Sequence, residues 1–170
     1  MVRRFLRVAL AAALFVPVLA AAAPGNPGAA PAPQGSGVTR AELARVLAAH
    51  GMTVRDATQD DTDPWLRART PKGTDFYVNF YDCSGTGSSQ RCSNLQFLAQ
   101  WDLGKQANAA TAMQYNQRFV FGRAYMSKDG KLFMFDYSIN IKDGVSPANL
   151  KRHVDNWLRV LDDVRSLLKA

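Results

Sequence analysis

Residues 75–102 read DFYVNFYDCSGTGSSQRCSNLQFLAQWD. Phe76, Val78 and Phe80 alternate with Tyr77, Asn79 and Tyr81, a period of two that sends the two sets to opposite faces of a strand. Further on, Leu95, Phe97, Ala99 and Trp101 alternate in the same way with Gln96, Leu98 and Gln100. Between the two runs lies Cys83-Ser-Gly-Thr-Gly-Ser-Ser-Gln-Arg-Cys92, which is polar and glycine-rich. A hairpin of strands Asp75–Asp82 and Asn94–Asp102, joined across its mouth by a Cys83–Cys92 disulfide, accounts for the whole stretch. Closing a loop of this size stabilises by on the order of 2–3 kcal/mol in chain-entropy terms.

A second hairpin is written around Asp129-Gly130, a dipeptide suited to a two-residue type I′ turn. That turn sets a register. Met126 falls opposite Phe133, Ala124 opposite Phe135, Gly122 opposite Tyr137 and Val120 opposite Ile139, on an inner face of small residues against large ones. The same register puts Tyr125 across from Met134 and Arg123 across from Asp136 on the outer face. Two shorter strands are expected upstream, at Met52–Ala57 and Trp65–Thr70. Asp60, Asp61 and Asp63 lie between them without the glycine and distal glutamate of a calcium loop, so a solvated turn is expected.

Helical periodicity brackets these strands. Thr39-Arg-Ala-Glu42 has capping-box spacing and opens a helix over Thr39–His50 with Leu43, Val46 and Leu47 on one face. Gly51 closes it, and His50 in the last turn suits the helix dipole. A second helix, alanine-rich, spans about Lys105–Gln117 with Ala109, Met113 and Asn116 roughly in line. The third begins at Ser146-Pro147, a cap followed by proline. Its apolar stripe is Leu150, Val154, Trp157, Leu158, Leu161, Val164 and Leu168, a core-packing face. His153 falls off that stripe and is expected in solvent. The reading is α+β: an antiparallel sheet of about five to six strands with helices packed on it, in the order α-β-β-β-β-α-β-β-α.

The N-terminus has a different character. Arg3, Arg4 and Arg7 precede the apolar run Val8–Ala23, which ends in small residues before Pro24: the layout of a cleavable export signal over residues 1–23. The run is shorter than the roughly 20 residues of a spanning helix and holds Pro17, so no stable membrane span is expected after cleavage. An uncleaved anchor is the alternative. Residues 24–37 are Pro, Gly, Ala, Ser, Gln and Asn without charge, a flexible linker, and 38–170 form one domain. The formal charge of +7 falls to +4 without the signal, with 18 basic and 14 acidic residues left. Lys151, Arg152, Arg159 and Arg165 alternate with Asp155, Asp162 and Asp163, unlike the one-signed stripe of a nucleic-acid binder. An exported, periplasmic or secreted protein holds its two cysteines as a disulfide by default.

Several segments together resemble the YbjN family of small bacterial proteins. They are Phe76–Tyr81, Cys83 and Cys92 with Leu95 after them, Tyr115-Asn116-Gln117-Arg118-Phe119 leading to Arg123-Ala124-Tyr125, Asp129-Gly130, and Gly144-Val145-Ser146 before a helix with Trp157. Tyr115 stands where a tryptophan is common in the family. The resemblance covers about Val38 to the C-terminus and implies a regulator of sensory transduction. It also implies an α+β fold similar to type III secretion chaperones, and no catalytic residues to carry over.

No nucleophile–base pair, phosphate loop or zinc motif is present, and the two histidines lack an acid motif beside them. A non-enzymatic role without cofactor or metal is therefore expected. The outer sheet face supplies candidate partner-binding residues: Tyr77, Asn79, Tyr81, Leu98, Phe121, Arg123, Tyr125 and Met134. Aromatic and methionine side chains around a polar minority suit recognition of a protein partner, or self-association. Coverage of this face by a helix is the competing reading. The function expected is an exported protein-binding or regulatory module of the bacterial envelope, the alternatives being a structural envelope protein without a specific ligand or an unrecognised enzyme.

Cleavage is expected near Ala22 or Ala23. The intact mass of the exported protein checks it, and a membrane-bound species retaining Met1–Ala20 would make this an anchored protein.

Overall fold

The computed structural model describes residues 37–58, 60–104 and 108–169. The expected signal segment, the linker except Gly37, and Lys105, Gln106 and Ala107 of the expected second helix lie outside the described residues. Three helices and six strands follow in the order α1 (Arg40–Ala49), β1 (Thr53–Ala57), β2 (Trp65–Arg69), β3 (Asp75–Ser84), β4 (Arg91–Trp101), α2 (Ala109–Arg118), β5 (Arg123–Met126), β6 (Phe133–Asn140) and α3 (Pro147–Leu168). The strands make one antiparallel sheet in the spatial order β1-β2-β3-β4-β6-β5. The α+β class and the element order read from the sequence are those observed.

The caps behave as their residue types require. Thr39 and Glu42 form a reciprocal capping box on α1. Asn108 caps α2 by accepting from the Thr111 N–H, and Ser146 caps α3 ahead of Pro147. Cys83 and Cys92 face each other in the β3–β4 ladder and are joined by a disulfide. A short 3-10 turn at Gly87–Ser89 occupies the loop they close.

All three helices pack on one face of the sheet. The register aligns Phe76, Ala99 and Phe135 across β3, β4 and β6. The small Ala99 between two phenylalanines leaves room for a large ring, and Trp157 of α3 fills it. Its indole is fully buried, 5.5 Å from the Phe76 and Phe97 rings and stacked on Phe135 at 5.7 Å. Leu43 and Leu47 of α1 and Ala112 and Tyr115 of α2 join the same core.

Four details depart from the sequence reading. The β5–β6 register is as expected at four pairs, Arg123–Asp136 through Met126–Phe133, but ends there. Gly122 has φ +79° and would place a Cβ 2.3 Å from the Phe135 ring, so it packs on Phe135 and not across from Tyr137. Val120, expected against Ile139, is 93% exposed. The turn is also not type I′: Gly130 has positive φ but Asp129 does not, and the Gly130 N–H donates to Ser127 O at 2.8 Å. In α2 the buried face is Ala112 and Tyr115, while Met113 is 60% exposed. His153 is not in solvent; its Nδ1 lies 2.9 Å from Tyr137 Oη.

Trp157→Ala should destabilise the domain by about 3–5 kcal/mol in denaturant unfolding, since it empties the centre of the core. Ala99→Leu, which overfills the same space, should cost about 1–3 kcal/mol. A loss below about 1 kcal/mol for Trp157→Ala would contradict this packing.

Candidate functional site

The face opposite the helices carries a second set of side chains, assembled by the same registers. One row runs across five strands: Arg67 (β2), Tyr77 (β3), Leu98 (β4), Asp136 (β6) and Arg123 (β5). The next holds Trp65, Asn79, Gln96 and Ser138, and on the other side Gln100, Met134 and Tyr125 lie in line. Tyr81 stands at the far end of β3 and is 47% exposed. Among the described residues no helix packs on this face. The reading in which a helix covers it finds no support there.

Polar groups on this face satisfy one another laterally. Asp136 is the hub, its side chain only 6% exposed. It accepts from Arg123 Nη2 at 2.6 Å and from Gln96 Nε2 at 3.0 Å. Gln96 Oε1 in turn accepts from Asn79 Nδ2 at 3.2 Å and from Tyr81 Oη at 3.1 Å. A chain of contacts therefore crosses β3, β4, β6 and β5, and orients amides and a guanidinium toward solvent. Burial, then the Asp136 carboxylate, holds the Tyr125 phenol above its ordinary range. The Arg123 guanidinium lies 4.9 Å from the Tyr125 ring centre and that of Arg67 6.0 Å from Tyr77. Trp65 meets Tyr77 edge-on at 5.9 Å.

The structure brings together Tyr77, Asn79, Tyr81, Leu98, Arg123, Tyr125 and Met134 on this face. Phe121 is not among them. It precedes the strand, whose alternation starts only at Arg123, and the Gly122 bend turns it toward the helices. There the Arg159 guanidinium of α3 lies 5.5 Å from its ring centre. Sequence reasoning placed Asp136 on the outer face and Gln96 on the parity of Leu98 without naming either as a candidate site residue, and it missed Trp65. The alternation Trp65-Leu-Arg-Ala-Arg69, apolar on one parity and large or charged on the other, was the available signal for Trp65.

His50 and Asp61 serve the scaffold. His50 Nδ1 lies 2.7 Å from Val46 O and its Nε2 2.9 Å from Asp155 Oδ1, which ties the end of α1 to α3. The acidic loop is not simply solvated: Asp61 accepts from Arg40 Nη2 at 2.9 Å and from the Gly87 N–H at 2.7 Å, anchoring the disulfide-closed loop to α1. No cluster of three or more His, Cys, Asp or Glu able to hold a metal occurs among the described residues.

Asp75 borders the face. Hydrogen bonds from Arg69, at 2.5 and 2.8 Å, and then from Arg67 hold its carboxyl down to about 2, against an ordinary 3.8. A carboxyl depressed on folding stabilises at pH above its unfolded value, and that contribution is lost as pH falls through the folded value. Asp75→Asn should therefore be less stable than the parent at pH 6, with the gap closing between about pH 4 and 2 in acid-titrated unfolding. A gap unchanged at pH 2 would contradict the pairing.

A family model described as "Putative bacterial sensory transduction regulator", YbjN, matches residues 39–170. The comparison with curated proteins finds no match. Among solved structures, a crystal structure of YbjN, a "putative transcription regulator" from E. coli, aligns with a TM-score of 0.49 at 17% identity, covering 74% of this chain and 84% of that one. The family match spans every strand and helix from α1 to α3, and with it the whole outer face. This chain belongs to the YbjN family.

Proposed function

We propose that the domain is a non-catalytic regulatory module that works outside the cytoplasm and binds a protein partner through the outer face of its sheet. The observation that carries this reading is the face itself. It spans five strands, no helix among the described residues covers it, and it combines Trp65, Tyr77, Tyr81 and Tyr125 with oriented amides and Arg123. Tyrosine, tryptophan and arginine are the side chains enriched at the energetic centres of protein interfaces. Lateral hydrogen bonding holds Arg123, Asn79, Gln96 and Tyr81 in place in advance, which lowers the entropy cost of docking. Family membership supports a regulatory role, and the N-terminal signal pattern supports export.

The double change Tyr77→Ser and Tyr125→Ser removes two rings from the face without touching the core. Capture of exported proteins by the wild-type domain, compared with the double variant, reads the outcome. The expected result is loss of the species that saturates the wild type, with an unfolding midpoint lowered by the equivalent of about 1 kcal/mol or less per site. Undiminished capture would remove the face as the docking surface. Unfolding of the variant would show that the face is structural.

A further inference from the structure

Single apolar side chains stand exposed on most proteins, whereas a group of them marks a place that something covers. Among the described residues four large apolar side chains stand exposed, and three of them, Met113, Val120 and Phe121, belong to α2 and the loop that follows it. Val120, 93% exposed, stands clear of its neighbours at the tip of that loop. A solvated connection is ordinarily written in Gly, Asn, Asp and Ser. Here it reads Phe119-Val120-Phe121-Gly122, with only the glycine of that set.

The loop is held in shape. Phe119 stacks on Tyr115 at 4.8 Å, and Tyr115 Oη donates to Phe121 O at 2.8 Å. Gly122, with φ +79°, lies against the Phe135 ring where a Cβ would not fit. The apolar tip is therefore presented at a fixed place, with little ordering left to lose when it is covered.

Charge of one sign surrounds the tip. No aspartate or glutamate occurs between Asp102 and Asp129, a stretch that contains Lys105, Arg118, Arg123 and Lys128. Those four cations equal the whole +4 excess of the chain without its signal, and elsewhere the two signs balance at 14 each. The Arg118 guanidinium lies 5.3 Å from the Phe119 ring centre and has no ion pair among the described residues. That of Arg159 lies 5.5 Å from the Phe121 ring centre and meets Asp163 only at 3.8 Å.

We propose that the α2–β5 loop docks the domain on the surface of an anionic phospholipid bilayer. Val120 and Phe121 enter the boundary between headgroups and acyl chains, and Arg118 and Arg159 meet the phosphates. The chemistry favours this occupant over others of the same charge. Valine and methionine offer no hydrogen bond to a base or a phosphate, and a protruding tip needs no matching hole in a fluid layer. Arginines beside such a tip keep their guanidinium groups among the headgroups while their stems follow the rings inward. No helix among the described residues is long and apolar enough to cross a membrane, so the contact is a surface one. It does not depend on the outer face binding a protein.

Fluorescence and co-sedimentation of the exported chain with vesicles test the proposal. An environment-sensitive dye is attached at Val120→Cys or, as a reference, at Thr53→Cys on β1, the opposite edge of the sheet. Labelling without reductant leaves the Cys83–Cys92 bridge closed. The probes are vesicles of phosphatidylglycerol with phosphatidylethanolamine, and vesicles of phosphatidylcholine alone. The dye at position 120 should brighten and shift to the blue with the anionic vesicles, and the dye at position 53 should not. In co-sedimentation of the unlabelled chain, Val120→Ser with Phe121→Ser should lower partition by on the order of tenfold or more, and Arg118→Gln by about fivefold. The arginine effect should fade in high salt. Any N-terminal segment kept after export is common to every variant and cancels. An unchanged spectrum at position 120 overturns the proposal, as does an equal response at positions 120 and 53, or equal partition onto the two kinds of vesicle. If the double variant does not fold, Val120→Ser alone takes its place, and unchanged partition there overturns the docking role.

Discussion

Trp157 seated between Phe76 and Phe135 organises the molecule. The indole occupies space that exists only because Ala99, in the row between those phenylalanines, is small. One ring thereby touches three strands, and α3 is committed to a single face of the sheet. α1 and α2 follow, since Leu43, Leu47, Ala112 and Tyr115 join the same core. A six-stranded sheet with all its helices on one side has a second side to account for. Its polar and aromatic residues must satisfy one another, meet water or meet a partner.

The composition of that second side distinguishes it from an ordinary solvated face. A strand surface built only for water would carry lysines, glutamates and threonines at independent positions. Here Asp136 is nearly buried under its neighbours and joins Arg123 to Gln96, and Gln96 joins Asn79 and Tyr81. Such a network cannot change one member without leaving another unpaired. It holds Tyr81, the two amides and the Arg123 guanidinium in set directions, the condition under which a flat surface recognises a partner with little ordering cost.

Alternation and capping made most of the scaffold legible in the sequence. Phe76–Tyr81 and Leu95–Trp101 carry a period of two over enough residues to set both faces, and Thr39–Glu42 and Ser146-Pro147 mark helix starts chemically. Failures occur where the chain bends between elements. Extending the β5 register back to Val120 assumed a straight strand, but Gly122 takes a positive φ against the Phe135 ring and sends Phe121 to the helix side. Asp129-Gly130 reads as a two-residue turn, whereas the reversal takes Ser127 to Gly130 and keeps the same pairing. His153 and Asp61 were assigned to solvent from local context alone. Their partners, Tyr137 on β6 and Gly87 in the disulfide loop, are distant in sequence and come close only through sheet order, which local patterning does not encode.

The disulfide acts where the hairpin meets the entry of the chain into the domain. Val38 pairs with Cys92 through two main-chain bonds, 3.0 Å and 2.9 Å, and so continues the line of β6 beside β4. Gly37 approaches so closely that a Cβ would lie 2.4 Å from Cys92 O, and Arg91 donates from Nη2 to Gly37 O at 2.8 Å. Arg91 also donates from Nη1 to Glu42 Oε1 at 3.1 Å, the carboxylate that completes the α1 capping box. Fixing Cys92 to Cys83 thus fixes the strand position on which Gly37, Val38 and the first turn of α1 are registered. The bridge stabilises a short loop by its own closure. Through Arg91 and Cys92 it also sets where the first helix starts, and α1 must start there for Leu43 and Leu47 to reach the core beneath the sheet.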